Sequence, residues 1–139
     1  MEELAISIEE GADATSKELV ATIIYDFNRT VARSDYRPLT LLLKDTEGRI
    51  VGGLLGKTEW GWLHVETLAI REEYRNQGYG SKLLALAEEE AVARACHDVL
   101  LDTFSFQAPS FYEKRGYAVF GMLENVGEHT RYFLRKRLG

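Results

Sequence analysis

A chain of 139 residues, 45% of them hydrophobic, is long enough for one compact domain with a sizeable core, so a single domain over residues 1–139 is expected. With 17 Lys and Arg against 22 Asp and Glu, the formal net charge of −5 argues against a general binder of nucleic acid or of anionic membrane. The start MEELAISIEE lacks the basic residues and apolar stretch of a secretion signal, and no apolar run approaches the roughly 18 residues of a membrane span, so a cytoplasmic protein is expected.

Leu4, Ile6 and Ile8 alternate with Ala5, Ser7 and Glu9, the period of a half-buried strand. Thr15 followed by Glu18 reads as a capping box, and Leu19, Val20, Ile23, Ile24, Phe27 and Val31 form one helical stripe, predicting a helix to about Arg33. The stretch SDYRP is a loop, because Pro38 pushes Arg37 out of helical geometry. Strands are predicted over Leu39–Lys44 and Ile50–Lys57, joined by a short hairpin connection, and over residues 62–70. This third strand changes parity: Leu63 and Val65 share one face, Leu68 and Ile70 the other, so either both faces are covered or a bulge switches them.

A glycine turn leads from there into a helix beginning near Ser81, with Leu83, Leu84, Ala87, Ala91 and Ala95 inward and Lys82, Glu88, Glu89 and Arg94 mainly outward. Val99–Thr103 is a short strand, and strand, helix and strand in this order suggest a crossover joining parallel neighbours. The lone Cys96 allows neither an internal disulfide nor a paired thiolate metal site. Pro109 opens a short helix that Gly116 closes. Strands over Tyr117–Met122 and His129–Lys136 finish a mixed α/β order, βαβββαβαββ.

The turn holds the first chemical clue. Gly78 and Gly80 let successive amides point into one concavity at a helix start, where the dipole favours phosphate oxygens. Arg75, with Arg71 as a second candidate, adds a cation. A dinucleotide fingerprint is ruled out by Leu83 at the third glycine position, and GYGSK has the wrong order for a Walker loop. His64, His97 and His129 are too scattered for a metal spacing, and no metal is expected.

The segment WLHVETLAIREEYRNQGYGSKLL resembles the cofactor motif of the GNAT superfamily, the acyl-CoA-dependent N-acyltransferases, in which a bulged strand leads through [QR]xxGx[GA] into a helix; Arg75, Gly78 and Gly80 carry the match. AxxFYEKRGY, from Ala108 to Tyr117, is similar to a second block of that family, and the two cover roughly residues 62–120. The string DTFSFQAPSFYEKRGY, with GEHTRYFLRKRL near the end, resembles a bacterial branch whose acceptors are mostly undefined. The resemblance implies a single GNAT-like α/β domain: a mixed, mainly antiparallel sheet with a central parallel pair splayed at a bulge, flanked by helices.

It also implies a site. Amides around Gln77, Gly78, Tyr79, Gly80 and Ser81 would hold the pyrophosphate of coenzyme A, and backbone groups near Leu68 and Ile70 would pair with the pantetheine arm. Tyr112, which its surroundings alone would make a core aromatic, takes the role of proton donor to the departing thiolate. Glu66 stands where the family often has its base, although a polar strand residue or a contact for the acceptor's charge explains it as well. Ser105 occupies a position where the family often has Asn. The implied reaction is acetyl transfer from acetyl-CoA to a primary amine, small-molecule or peptidyl, by direct attack in a ternary complex. A non-catalytic acyl-CoA sensor and a partner-binding module, including a homodimer through the C-terminal strands, are the alternatives.

Overall fold

The computed structural model describes residues 2–139, and all their side chains save those of Asn125 and Val126. The chain divides into two units, one ending at Ser34 and one spanning Asp35–Gly139.

The first unit holds helix α1, Ala14–Arg29. Its cap is Asp13, whose carboxylate accepts the Ser16 N–H at 2.7 Å, and not the expected Thr15. A shorter, charged acceptor two residues earlier satisfies the first free amides and lowers the Asp13 pKa through those same hydrogen bonds. The helix ends at Arg29, earlier than the apolar stripe suggested, where Thr30 turns its hydroxyl onto the Phe27 carbonyl at 2.7 Å. No residue of α1 is buried. Residues 4–8 form no strand, contrary to their alternation. Alternation selects which face a strand presents, but a strand exists only where another chain segment takes up its amides.

The second unit is a six-stranded mixed sheet in the order β1-β2-β3-β4-β6-β5. Strands β1 (Arg37–Lys44), β2 (Ile50–Glu59) and β3 (Trp62–Ile70) form an antiparallel meander. A 3-10 turn, Glu72–Tyr74, and helix α2, Tyr79–Ala93, cross over to β4, Asp98–Phe104, which lies parallel to β3. Helix α3, Pro109–Glu113, precedes β5 (Ala118–Val126) and β6 (His129–Arg137). Because β6 sits between β4 and β5, only β5 of the C-terminal pair has an open edge.

The core packs Leu83, Leu84, Ala87 and Ala91 of α2 against Leu54, Leu63, Val65, Val99, Leu101 and Leu134 of the sheet. Full burial of such Leu and Val side chains is worth roughly 1.5–3 kcal/mol each. Three assignments on this helix need correction, one inward and two outward. Ala95 lies beyond the helix end at φ 64° and is exposed. Arg94, with only 10% of its side chain exposed, donates to the carbonyls of Arg37 and Pro38 and to the Thr58 hydroxyl, and pairs with Glu90. Glu88, 15% exposed, accepts the Tyr117 hydroxyl at 2.7 Å and pairs with Lys136 at 2.8 Å. The partners that draw both charges inward lie outside the helix and are remote in sequence.

Candidate active site

The parity change in β3 has a bulge behind it. Leu55 faces Thr67 and Gly56 faces Val65, so Glu66 is the extra residue with no partner on β2. Before it, Leu63 and Val65 are buried; after it, Leu68 and Ile70 pack on the same core. The added residue bends the strand and increases its twist. Accordingly β3 and β4 pair only from Trp62↔Asp98 to His64↔Leu100 and then separate.

Their separation opens a wedge of about 330 Å³ lined by residues 65–69 of β3, 101–103 of β4, and Gln107, Ala108 and Tyr112. That size suits a small ligand or the arm of a larger one. A cavity of about 380 Å³ elsewhere on the unit, walled by Trp62, Leu100 and Phe120, has its charged groups already engaged: Asp98 receives Arg135 at 2.8 Å and His97 at 2.7 Å. The wedge is where unpaired strand backbone, a carboxylate and a phenol come together.

Tyr112 is buried, its ring edge-on to Phe111 and Tyr117 at 5.1 and 5.7 Å. Burial and then the nearby Asp102 carboxylate push its pKa up, so the phenol holds its proton at neutral pH. Its hydroxyl has no hydrogen-bond partner among the described residues. Glu66 is exposed, with Lys57 Nζ at 3.7 Å. Asp102 is held by Arg131 at 2.9 Å.

Beyond the end of β3 at Ile70 and the 3-10 turn lies the glycine turn. Gly78 is the N-cap of α2 at φ 85°, and Asn76 is also left-handed at φ 61°. Alternating helical signs of this kind converge backbone amides into an anion-binding nest. Gly78 uses no side chain to cap the helix, and the Gly78 carbonyl receives the Lys82 N–H at 3.1 Å, so the amides of Tyr79, Gly80 and Ser81 lie in the unpaired first turn. A Cβ on Gly80 would touch Phe111 at 3.4 Å and Ile70 at 3.5 Å. Leu68 lines the wedge, but the Ile70 carbonyl is occupied by Arg75 Nε at 2.9 Å, which also tethers the expected free cation. Gln77 donates to the Glu73 carbonyl at 3.1 Å.

The sequence reading missed Arg115. Its guanidinium lies 3.8 Å over the Phe111 ring and donates to Ser81 Oγ at 3.2 Å, which sets a second cation beside the turn. The four-residue spacing from Phe111 was the available signal. Ser105 pins the start of β6, its Oγ accepting the Thr130 N–H at 3.0 Å. Burial raises the Cys96 pKa, leaving an inert thiol. Among the described residues no three His, Cys, Asp or Glu side chains form a metal-binding group, and no helix is long and apolar enough to cross a membrane.

Comparison with known proteins gives the same picture from outside. The profile of the acetyltransferase (GNAT) family matches residues 7–117. An acetyltransferase of Agrobacterium fabrum is 35% identical over 117 residues, 84% of this chain and 85% of that protein. A blasticidin-S acetyltransferase of Streptomyces morookaense is 42% identical over 71 residues, covering 50% of this chain and 52% of its own. The crystal structure of an acetyltransferase from Bacillus cereus superposes with a TM-score of 0.83 at 34% identity, covering 95% of this chain and 98% of that one. The bulged strand, the glycine turn and these matches agree: the chain belongs to the GNAT acetyltransferase family and is an acyl-CoA-dependent N-acetyltransferase.

Proposed function

We propose that residues 1–139 act as one domain that moves the acetyl group of acetyl-CoA to a primary amine by direct attack in a ternary complex. The observation that carries this reading is the continuity of the wedge. It runs along the splayed segment of β3 and ends beside a buried phenol that keeps its proton. The family profile crosses the boundary between the two units, which supports treating the chain as one functional piece.

In this reading the amides of Gln77, Gly78, Tyr79, Gly80 and Ser81 receive the pyrophosphate, with Arg75 and Arg115 adding positive charge. Backbone near Leu68 pairs with the pantetheine arm in the manner of an added strand. The amine nitrogen attacks the thioester carbonyl carbon and the C–S bond breaks. Glu66, directly or through water, takes the proton the amine must lose, since an alkylammonium with a pKa near 10 is otherwise mostly unreactive at neutral pH. Tyr112 gives its proton to the departing thiolate, so the products are an N-acetyl amine and free CoA. Cys96, buried with a raised pKa, is unsuited to an acyl-enzyme route.

Release of CoA thiol, followed with acetyl-CoA and a broad panel of amines, tests the reading. Turnover with a primary amine is expected, and Tyr112→Phe lowers it about 10²-fold while acetyl-CoA affinity stays nearly constant. Tight acetyl-CoA binding with no turnover by any amine would favour the sensor alternative, and undiminished turnover in the variant would remove Tyr112 from the acid role.

A further inference from the structure

Gln107 lines the wedge, close in sequence to Tyr112 but on the loop that precedes α3. Its side-chain Oε1 accepts the Phe104 backbone N–H at 2.8 Å and the buried Thr103 hydroxyl at 3.2 Å. A backbone N–H can only donate, so the orientation of this carboxamide is set by chemistry: the oxygen must face Phe104. The amide nitrogen, with two N–H donors, has no acceptor among the described residues. A side chain pinned through its oxygen cannot turn over to accept a hydrogen bond. It is a fixed donor, selective for a carbonyl oxygen over an N–H.

The cleft it borders lies between strands that no longer pair with each other beyond His64 and Leu100. The pantetheine arm of an acyl-CoA carries two amide carbonyls, acceptors of the kind such a donor selects. We infer that Gln107 Nε2 donates to an amide carbonyl of that arm and positions it in the wedge. This assignment rests on the acyl-CoA reading above. Gln107 is a positioning residue here and takes no part in proton transfer.

Two variants separate the donor role from the loop-stapling role. Gln107→Glu keeps an oxygen for the Phe104 N–H but cannot donate, whereas Gln107→Met loses both functions. Calorimetry with acetyl-CoA and with adenosine 3′,5′-bisphosphate, which lacks the arm, reads the result. Loss of one hydrogen bond weakens acetyl-CoA about 10-fold in each variant. Binding of the bisphosphate stays within about twofold, KM for acetyl-CoA rises and kcat changes little. Unchanged acetyl-CoA affinity in Gln107→Glu overturns the inference, as does equal weakening of both ligands by both variants, which would mean a charge or folding effect. Should Gln107→Met fail to fold, Gln107→Glu decides alone. A wild-type protein that binds no acetyl-CoA sinks the acetyltransferase reading and this one together; a wild-type protein that binds it while both variants bind equally well sinks only this one.

Discussion

Tyr112 and Tyr117 stand five residues apart in one motif and are both buried, yet they do opposite things. Burial, the Glu88 hydrogen bond and the Glu88 charge raise the Tyr117 pKa, and its hydroxyl is committed to that carboxylate, itself held by Lys136. Tyr112 is raised by burial first and by Asp102 second, and its hydroxyl is uncommitted. Only the second arrangement leaves a proton to give. The pH dependence follows from the direction of both shifts. An unfolded tyrosine titrates near pH 10. The folded pair keep their protons above that point, so the stability they contribute is complete below about pH 10 and declines as pH rises further. The kcat profile of the wild type accordingly has no descending alkaline limb below about pH 10. A descending limb centred near pH 8 that disappears in Tyr112→Phe would contradict the elevated pKa.

At the scale of elements, two features shape the site, the bulge at Glu66 and the helix α2. One inserted residue on β3 both restores Leu68 and Ile70 to the core and parts β3 from β4, so packing and cleft formation have a common cause. Helix α2 presents its N-terminal amides to the turn, while its far end is fastened by Arg94 to the start of β1 and to Thr58, which is 3% exposed. Replacing Arg94 by Met preserves much of the apolar stem but strips partners from the Thr58 hydroxyl and two carbonyls. Chemical denaturation should show a loss of about 1–3 kcal/mol with an unchanged m-value. A loss under a few tenths of a kcal/mol would mean water takes over these bonds without cost. This anchor was invisible beforehand, because a helical arginine with Glu90 four residues earlier reads as an exposed pair.

For the molecule as a whole, ligand binding and stability are linked. A donor that binds only the folded form stabilises it by RT ln(1 + [L]/Kd), about 2.7 kcal/mol at a hundredfold excess over Kd. Acetyl-CoA should therefore raise the melting temperature of the wild type in a concentration-dependent way. Gly80→Val removes that rise: the new Cβ meets Phe111 and Ile70 at ordinary van der Waals distance, so the fold accommodates it, while the added methyls crowd the first-turn amides. A full thermal shift retained in the variant would place the phosphates elsewhere. Net charge belongs to this scale too. At −5 the chain carries no general field for a polyanion, so the proposed function relies on local amides, with Arg75 and Arg115, to meet the donor.

The sequence by itself determined the strands from β1 to β6, the glycine turn, the parity change that marks the bulge, and the short helix between Pro109 and Gly116. These depend on residues adjacent in the chain, through side-chain period, φ preference and capping. Tertiary structure decided the rest. It left residues 4–8 without a strand, turned Arg94 and Glu88 from solvated charges into half-buried ties, brought Arg115 to the turn and fixed the orientation of Gln107. It also distinguished the committed hydroxyl of Tyr117 from the uncommitted one of Tyr112. Each of these outcomes depends on which groups meet across the fold, and a hydrogen bond or ion pair between distant residues leaves no periodic mark on the chain.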